Sequence, residues 1–158
     1  MAAGRQTNFD SKTSATHVWL VLWKAAHAVE QNAVESVSRS GLGLSDFAVL
    51  ELLVHKGPLP VNDIGRRVFL TSGSITAAID RLESRKLVRR ARHAEDRRLR
   101  LVDLTDKGER LIRCAFDQHE LDMERVMAVL TKDDRLELVR LLKKVGLFAA
   151  QRLEPAQR

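Results

Sequence analysis

The chain has 158 residues, 44% of them apolar and 30% charged, a composition that excludes a disordered polymer and fits one globular domain with its own core and an elongated appendage. Twenty-seven Lys and Arg against 21 Asp and Glu give a net charge of +6, a field that steers the protein toward polyanions without identifying one. Only 4% of residues are aromatic and tyrosine is absent, so a ring platform for stacking unpaired bases is hard to build and duplex is favoured over single strands.

Residues 1–12 read as a flexible polar arm with no apolar run of signal-peptide length, and no later segment approaches the roughly 18 apolar residues of a membrane span. A cytoplasmic protein without membrane attachment is expected. Helical periodicity starts near Ser14 and carries Trp19, Leu22, Trp23, Ala26, Val29, Ala33 and Val37 at three- and four-residue steps. Ser40-Gly41-Leu42-Gly43 ends that helix, since glycine accepts the left-handed conformation beyond a helix terminus. Ser45 reads as the N-cap of a second helix with Phe47, Val49, Leu50, Leu53 and Val54 inward, stopped by Gly57-Pro58-Leu59-Pro60. A short third helix buries Val61, Ile64 and Val68. A fourth, capped at Thr71 or Ser72, runs to about Lys86 with Ile75, Ala78, Ile79 and Leu82 on one face and Ser72, Ser74, Ala77 and Arg81 nearer the other.

Val88–Arg92 and Arg100–Leu104 alternate as two antiparallel strands, with 93–99 as the exposed connection between them. Thr105 caps a fifth helix that has Asp106 and Glu109 in its first turn, where carboxylates complement the helix dipole. Leu111, Ile112, Ala115, Phe116, Met123, Val126, Met127 and Leu130 carry it to Thr131. A sixth helix follows with Leu136, Val139, Leu142, Val145 and Phe148 as its stripe. The fold class expected is mainly α with a small β-hairpin wing: a winged helix-turn-helix over 44–104, flanked by dimerisation helices at 13–40 and 105–153. The terminal stripes are too long for one small lobe to cover, which points to a homodimer.

Between Arg81 and Arg100 stand nine basic residues against three acidic ones. Each cation that neutralises a phosphate releases condensed counterions, so such a cluster is where duplex affinity is generated. Two short helices followed by a basic hairpin place the second helix in a major groove. The residues also carry a family likeness. A Ser/Thr-rich recognition helix, a D-x-R wing (Asp96-Arg97-Arg98) and an L-T-x-x-G start to the next helix (Leu104-Thr105-Asp106-Lys107-Gly108) resemble the MarR family of bacterial transcription regulators. One departure is Lys86-Leu87, where the family usually has glycine before the leucine, so a non-glycine residue must make the turn closing the recognition helix.

The resemblance implies a homodimer that grips a pseudo-palindrome of double-stranded DNA with two lobes one helical turn apart, about 34 Å. It assigns Arg98 to the minor groove and Asp96 to the ion pair that orients it. Thr71, Ser72, Ser74, Ala77 and Arg81 on the fourth helix, with Arg92, His93 and Arg97 on the wing, complete the candidate DNA contacts. The same wing reads more plainly as a solvated charge run, and the hydroxyls of Thr71, Ser72 and Ser74 as helix caps. The family's effectors are commonly small phenolic or other aromatic compounds. Trp19, Trp23 and His27, one turn apart, form a candidate effector pocket, although such a stripe also suits an interface core.

Cys114 has no partner cysteine in the chain to resolve an oxidised thiol and is expected to be buried and structural. The five histidines show no i, i+4 pairing, and no metal site or cofactor is expected. No phosphate loop or nucleophile elbow occurs, so an enzyme is not expected. The rival reading is a winged-helix module that binds protein instead of DNA, against which the arginine-rich wing argues.

Overall fold

The computed structural model describes residues 12–92 and 100–153. Six helices and three short strands follow one another: α1 (Ala15–Ser38), α2 (Leu44–Lys56), β1 (Leu59–Pro60), α3 (Val61–Arg67), α4 (Ser72–Ser84), β2 (Val88–Arg92), β3 (Arg100–Leu104), α5 (Asp106–Val126), a 3₁₀ turn (Met127–Val129) and α6 (Lys132–Leu153). The chain is mainly helical, as expected, and the strand pair has the predicted bounds. Packing divides it into one unit reaching Met123 and another from Glu124.

Local chemistry accounts for most element ends. Ser14 caps α1 by accepting from the His17 amide at 3.1 Å, which satisfies one orphan donor of the first turn. Gly41 takes φ 69° beyond the end of that helix, the left-handed step that glycine makes without penalty. The expected cap of α2 is corrected. The helix begins one residue before Ser45, with Gly43 in the capping position and no side-chain hydrogen bond. Asp46 in that first turn is spent on a tertiary contact described below.

Two helices end on residues other than glycine in left-handed backbone: α3 on Phe69 at φ 57° and α4 on Lys86 at φ 60°. After α4, the Leu87 amide donates to the Leu82 carbonyl and the Lys86 amide to that of Glu83, both at 2.9 Å, the paired bonds of a Schellman turn. Leu82 and Leu87 are both buried and close the turn from inside. The turn that the missing glycine demanded is thus made by Lys86. Left-handed backbone costs an L-residue about 1–2 kcal/mol. Lys86→Gly should therefore raise stability by about 0.5–1 kcal/mol once glycine's greater unfolded-state entropy is deducted. Urea denaturation checks this, and a lower midpoint for the variant contradicts it.

The sheet has the order β1-β3-β2, antiparallel throughout. Val88 pairs with Leu104 and Arg92 with Arg100, while Leu59 and Pro60 pair with Val102 and Leu101. Strand β1 was not anticipated, because Leu59-Pro60 reads as part of a stop and two residues carry no alternation. Its proline lies at the sheet edge, where a missing amide donor is tolerated. Val88 and Val102 turn their side chains into a core with Leu50, Ile64, Ile79, Leu82 and Ile112.

Gly65 of α3 lets α4 approach closely: a Cβ there would stand 3.2 Å from Ile75 Cγ2. The predicted L-T-x-x-G start of α5 is another such joint. The Thr105 amide donates to the Leu87 carbonyl at 3.1 Å. Thr105 Oγ1 accepts from the Gly108 amide at 3.0 Å and donates to the Lys86 carbonyl at 2.8 Å. A Cβ on Gly108 would collide with the Leu87 carbonyl oxygen. Further along α5, Ser36 at the buried end of α1 donates to Asp122 at 2.7 Å. With Gln118 and Arg39, that hydrogen bond holds the Asp122 carboxyl below its usual pKa.

Cys114 is exposed, which corrects the expectation of a buried thiol. Helix α5 buries Gly108, Ile112 and Ala115, and at 100° per residue Cys114 points well away from that face. Helix α1 buries only Ser36 and Val37, leaving Trp19 60% and Trp23 58% exposed. Helix α6 buries nothing. Its predicted stripe advances by threes and so winds about 60° around the helix at each step. Leu138, Leu141, Leu142, Val145 and Phe148, all exposed, share one side instead.

Candidate nucleic-acid interface

Helix α4 is held by Ile75, Ala78, Ile79 and Leu82, all buried. At 100° per residue the side opposite that stripe is the ridge Gly73, Ala77, Asp80 and Ser84. Space is open where a Cβ on Gly73 would stand, so the backbone there is accessible to close approach. Ser74 and Arg81 fall on the flank of the ridge next to Ala77, whereas Ser72 falls on the other beside Thr76. The anticipated contacts of α4 are therefore split between two flanks, and Gly73 and Thr76 join them.

The capping reading of the hydroxyls is correct in part. Thr71 Oγ1 accepts from the Ser74 amide at 3.3 Å and donates to Ser74 Oγ at 2.9 Å. Thr76 Oγ1 donates to the Ser72 carbonyl at 2.9 Å. All four side chains remain exposed.

Three arginines on and after α4 are matched by acids, two of them on the helix itself and two on other elements. Arg81 Nη2 donates to Asp46 Oδ1 at 2.6 Å, and that hydrogen bond, followed by the charge of Asp46, raises the Arg81 pKa. Arg89 meets Asp103 at 2.6 Å. Arg90 meets Asp80 at 2.5 Å and also binds Glu83. A window count of nine cations over 81–100 therefore overstates the local excess, since Asp80 and Asp103 lie just outside the window and Asp46 is brought in by folding.

At the end of α3, Arg66 and Arg67 are exposed beside the α4 N-terminus, and Arg66 pairs with Asp63 at 2.5 Å. A depression of about 200 Å³ lined by Asn62, Arg66 and Ser72, among others, joins the two helices. Sequence reasoning passed over these arginines, although an Arg-Arg pair four residues before a helix cap was a usable signal. His93, Asp96, Arg97 and Arg98 lie outside the described residues. Arg92 is placed by its backbone at the end of β2.

Trp19, Trp23 and His27 share the exposed face of α1, with the Trp23 and His27 rings stacked at 6.4 Å. They do not line the cavity of about 360 Å³ between α2 and α5, whose walls are Glu51, Val54, His55, Ile112, Arg113, Phe116 and Asp117. Phe116 is its aromatic floor, stacked on Phe47 at 6.5 Å and met edge-on by His55 at 5.9 Å.

Comparison with known proteins finds that residues 40–99 match the family described as the MarR family. The chain is 35% identical over 134 residues to the HTH-type transcriptional regulator MhqR of Bacillus subtilis (strain 168), covering 85% of this chain and 92% of that one. Among solved structures it is similar to AbsC, a MarR family transcriptional regulator from Streptomyces coelicolor (TM-score 0.79, 21% identity, 87% of this chain and 97% of that one). It is also similar to the PcaV transcriptional regulator of Streptomyces coelicolor, solved with its natural ligand (TM-score 0.68, 27% identity, 94% and 99%).

Proposed function

Because this chain belongs to the MarR family of transcription regulators, which bind DNA and are not enzymes, we propose that it is a homodimeric, ligand-responsive repressor. In this reading two copies set their α4 helices in successive major grooves of a pseudo-palindromic operator, about 34 Å apart. The observation that carries it is α4 itself: one face packed into the core, the other an exposed ridge of small residues that a groove accommodates. The lobe over 44–104 grips DNA, and the helices over 13–40 and 105–153 pair with a second copy in the cytoplasm.

The contacts assigned are Thr71, Ser72, Ser74, Ala77 and Arg81 on α4 and Arg92, His93, Arg97 and Arg98 on the wing, with Asp96 orienting Arg98. The effector is a small aromatic or phenolic compound. The cavity between α2 and α5 has a size common among ligand sites, and Phe116, His55 and Arg113 offer rings and positive charge. The row Trp19, Trp23 and His27 is a second candidate, with walls that a second copy would complete.

Fluorescence anisotropy on duplexes selected from a random pool tests the reading. Affinity should fall with rising salt, log K losing about 0.9 per log unit of salt for each phosphate neutralised. Arg98→Ala should cost roughly 1–3 kcal/mol of binding, and Asp96→Ala nearly as much despite removing a negative charge. No duplex binding at low salt would dismiss the reading, and tighter binding by Asp96→Ala would reduce the wing to diffuse charge.

A further inference from the structure

Asp46 is only 4% exposed, yet it stands in the first turn of α2 and reaches across 35 positions of sequence to α4. Its Oδ1 accepts from Arg81 Nη2 at 2.6 Å and its Oδ2 from Arg81 Nε at 3.4 Å. The arginine side chain nonetheless stays 53% exposed. A guanidinium has five N–H groups in a rigid plane. A side-on pair through Nε and Nη2 uses two of them, leaving both hydrogens of Nη1 and the second of Nη2.

The other carboxylates around α4 do not behave this way. Asp103, Asp80 and Glu83 are considerably more accessible than Asp46, and Arg90, which the last two hold, is only 27% exposed against 53% for Arg81. Asp46 is fixed by the core, so the plane it holds is fixed as well. Arg81 also lies on the flank of α4 that carries Ser74, next to Ala77, two turns from the first and one from the second toward the C-terminus. An arginine held in this way gives up its rotamer freedom when the chain folds instead of when a ligand binds, so less is lost at the interface.

We propose that Asp46 is a positioning residue, which fixes the Arg81 guanidinium so that its outer N–H groups meet acceptor atoms of duplex DNA, either a phosphate or a guanine edge. The inference rests on the DNA-binding reading above and adds a residue to it. Simple electrostatics gives the opposite sign for Asp46: removing an acid next to phosphate should tighten binding. A positioning role makes its removal weaken binding.

Anisotropy titrations of the full chain, on a duplex selected by the wild type and at several salt concentrations, distinguish the two. Arg81→Ala should weaken binding roughly 5- to 100-fold. Arg81→Lys should recover little of the loss, because one ammonium cannot span both partners. Asp46→Ala should weaken binding several-fold, Asp46→Asn less, and the Asp46→Ala/Arg81→Ala double variant should bind no worse than Arg81→Ala alone. A phosphate contact lowers the salt slope by about one unit in Arg81→Ala, whereas a guanine contact keeps the slope and relaxes preference at one base pair. Either supports the proposal.

Asp46→Ala that binds as tightly as wild type or tighter overturns it. So does Asp46→Ala that costs the same with and without Arg81, since its effect would then be on folding alone. Thermal melts of each variant, with Asp46→Asn as the shape-preserving control, keep that distinction readable. A wild-type chain that selects no duplex would remove the regulator reading itself, a result separate from any of these.

Discussion

Deleting residues 132–158 is expected to abolish dimer formation and duplex binding together. The deletion removes α6, whose exposed side carries Leu138, Leu141, Leu142, Val145 and Phe148. An apolar face of that extent exceeds what an isolated chain usually leaves to water and marks an interaction surface. We assign its cover to a second copy of the chain. A dimer on a two-fold operator gains its affinity from two lobes acting at one effective concentration, so a single lobe should retain only weak, salt-sensitive attachment. Sedimentation of the full and truncated chains, with anisotropy on the selected duplex, checks this. A well-behaved full-length monomer, or a truncated chain that still binds as a dimer, would contradict it.

The second large effect is on folding. Gly108→Ala should destabilise the chain by about 3 kcal/mol, at the upper end of what overpacking commonly costs. The added carbon would strike the Leu87 carbonyl, which also accepts from the Thr105 amide. Moving that carbonyl breaks the joint between the end of α4 and the start of α5, and alanine's better helix propensity, about 1 kcal/mol, offsets only part of the damage. Gly73→Ala is the natural contrast, because open space surrounds that position and stability should hold or rise. Urea denaturation of the pair decides the point. Equal midpoints for the two variants would mean that the close approach at Gly108 carries no energetic weight.

What was legible in the sequence was local. Alternation over Val88–Arg92 and Arg100–Leu104 marks strands because period two depends on neighbours only, and Gly41 and Thr71 mark ends because capping is settled within a few residues. Even the left-handed Lys86 follows from what is missing before Leu87. Contacts between distant segments left no such trace. Asp46 looks like an ordinary acid of a first turn until folding brings Arg81 to it, and Asp103 looks like a surface charge until β2 sets Arg89 beside it. Two residues of β1 are too few to show a period. The cavity floor, Phe116 over Phe47, joins α5 to α2, which periodicity within either helix does not reveal.

The matched arginines bear on how such a protein would search a chromosome. Attachment to arbitrary sequence grows with the number of cations free to displace counterions from phosphate, and arbitrary sites outnumber operators by many orders of magnitude. Arg89 and Arg90 already face carboxylates, so each would exchange one anion for another on meeting the duplex and add little to that indiscriminate hold. In the proposed regulator, retention on bulk DNA would then be modest for so basic a chain, leaving a larger share of molecules to occupy the few sites where shape and hydrogen bonding also fit.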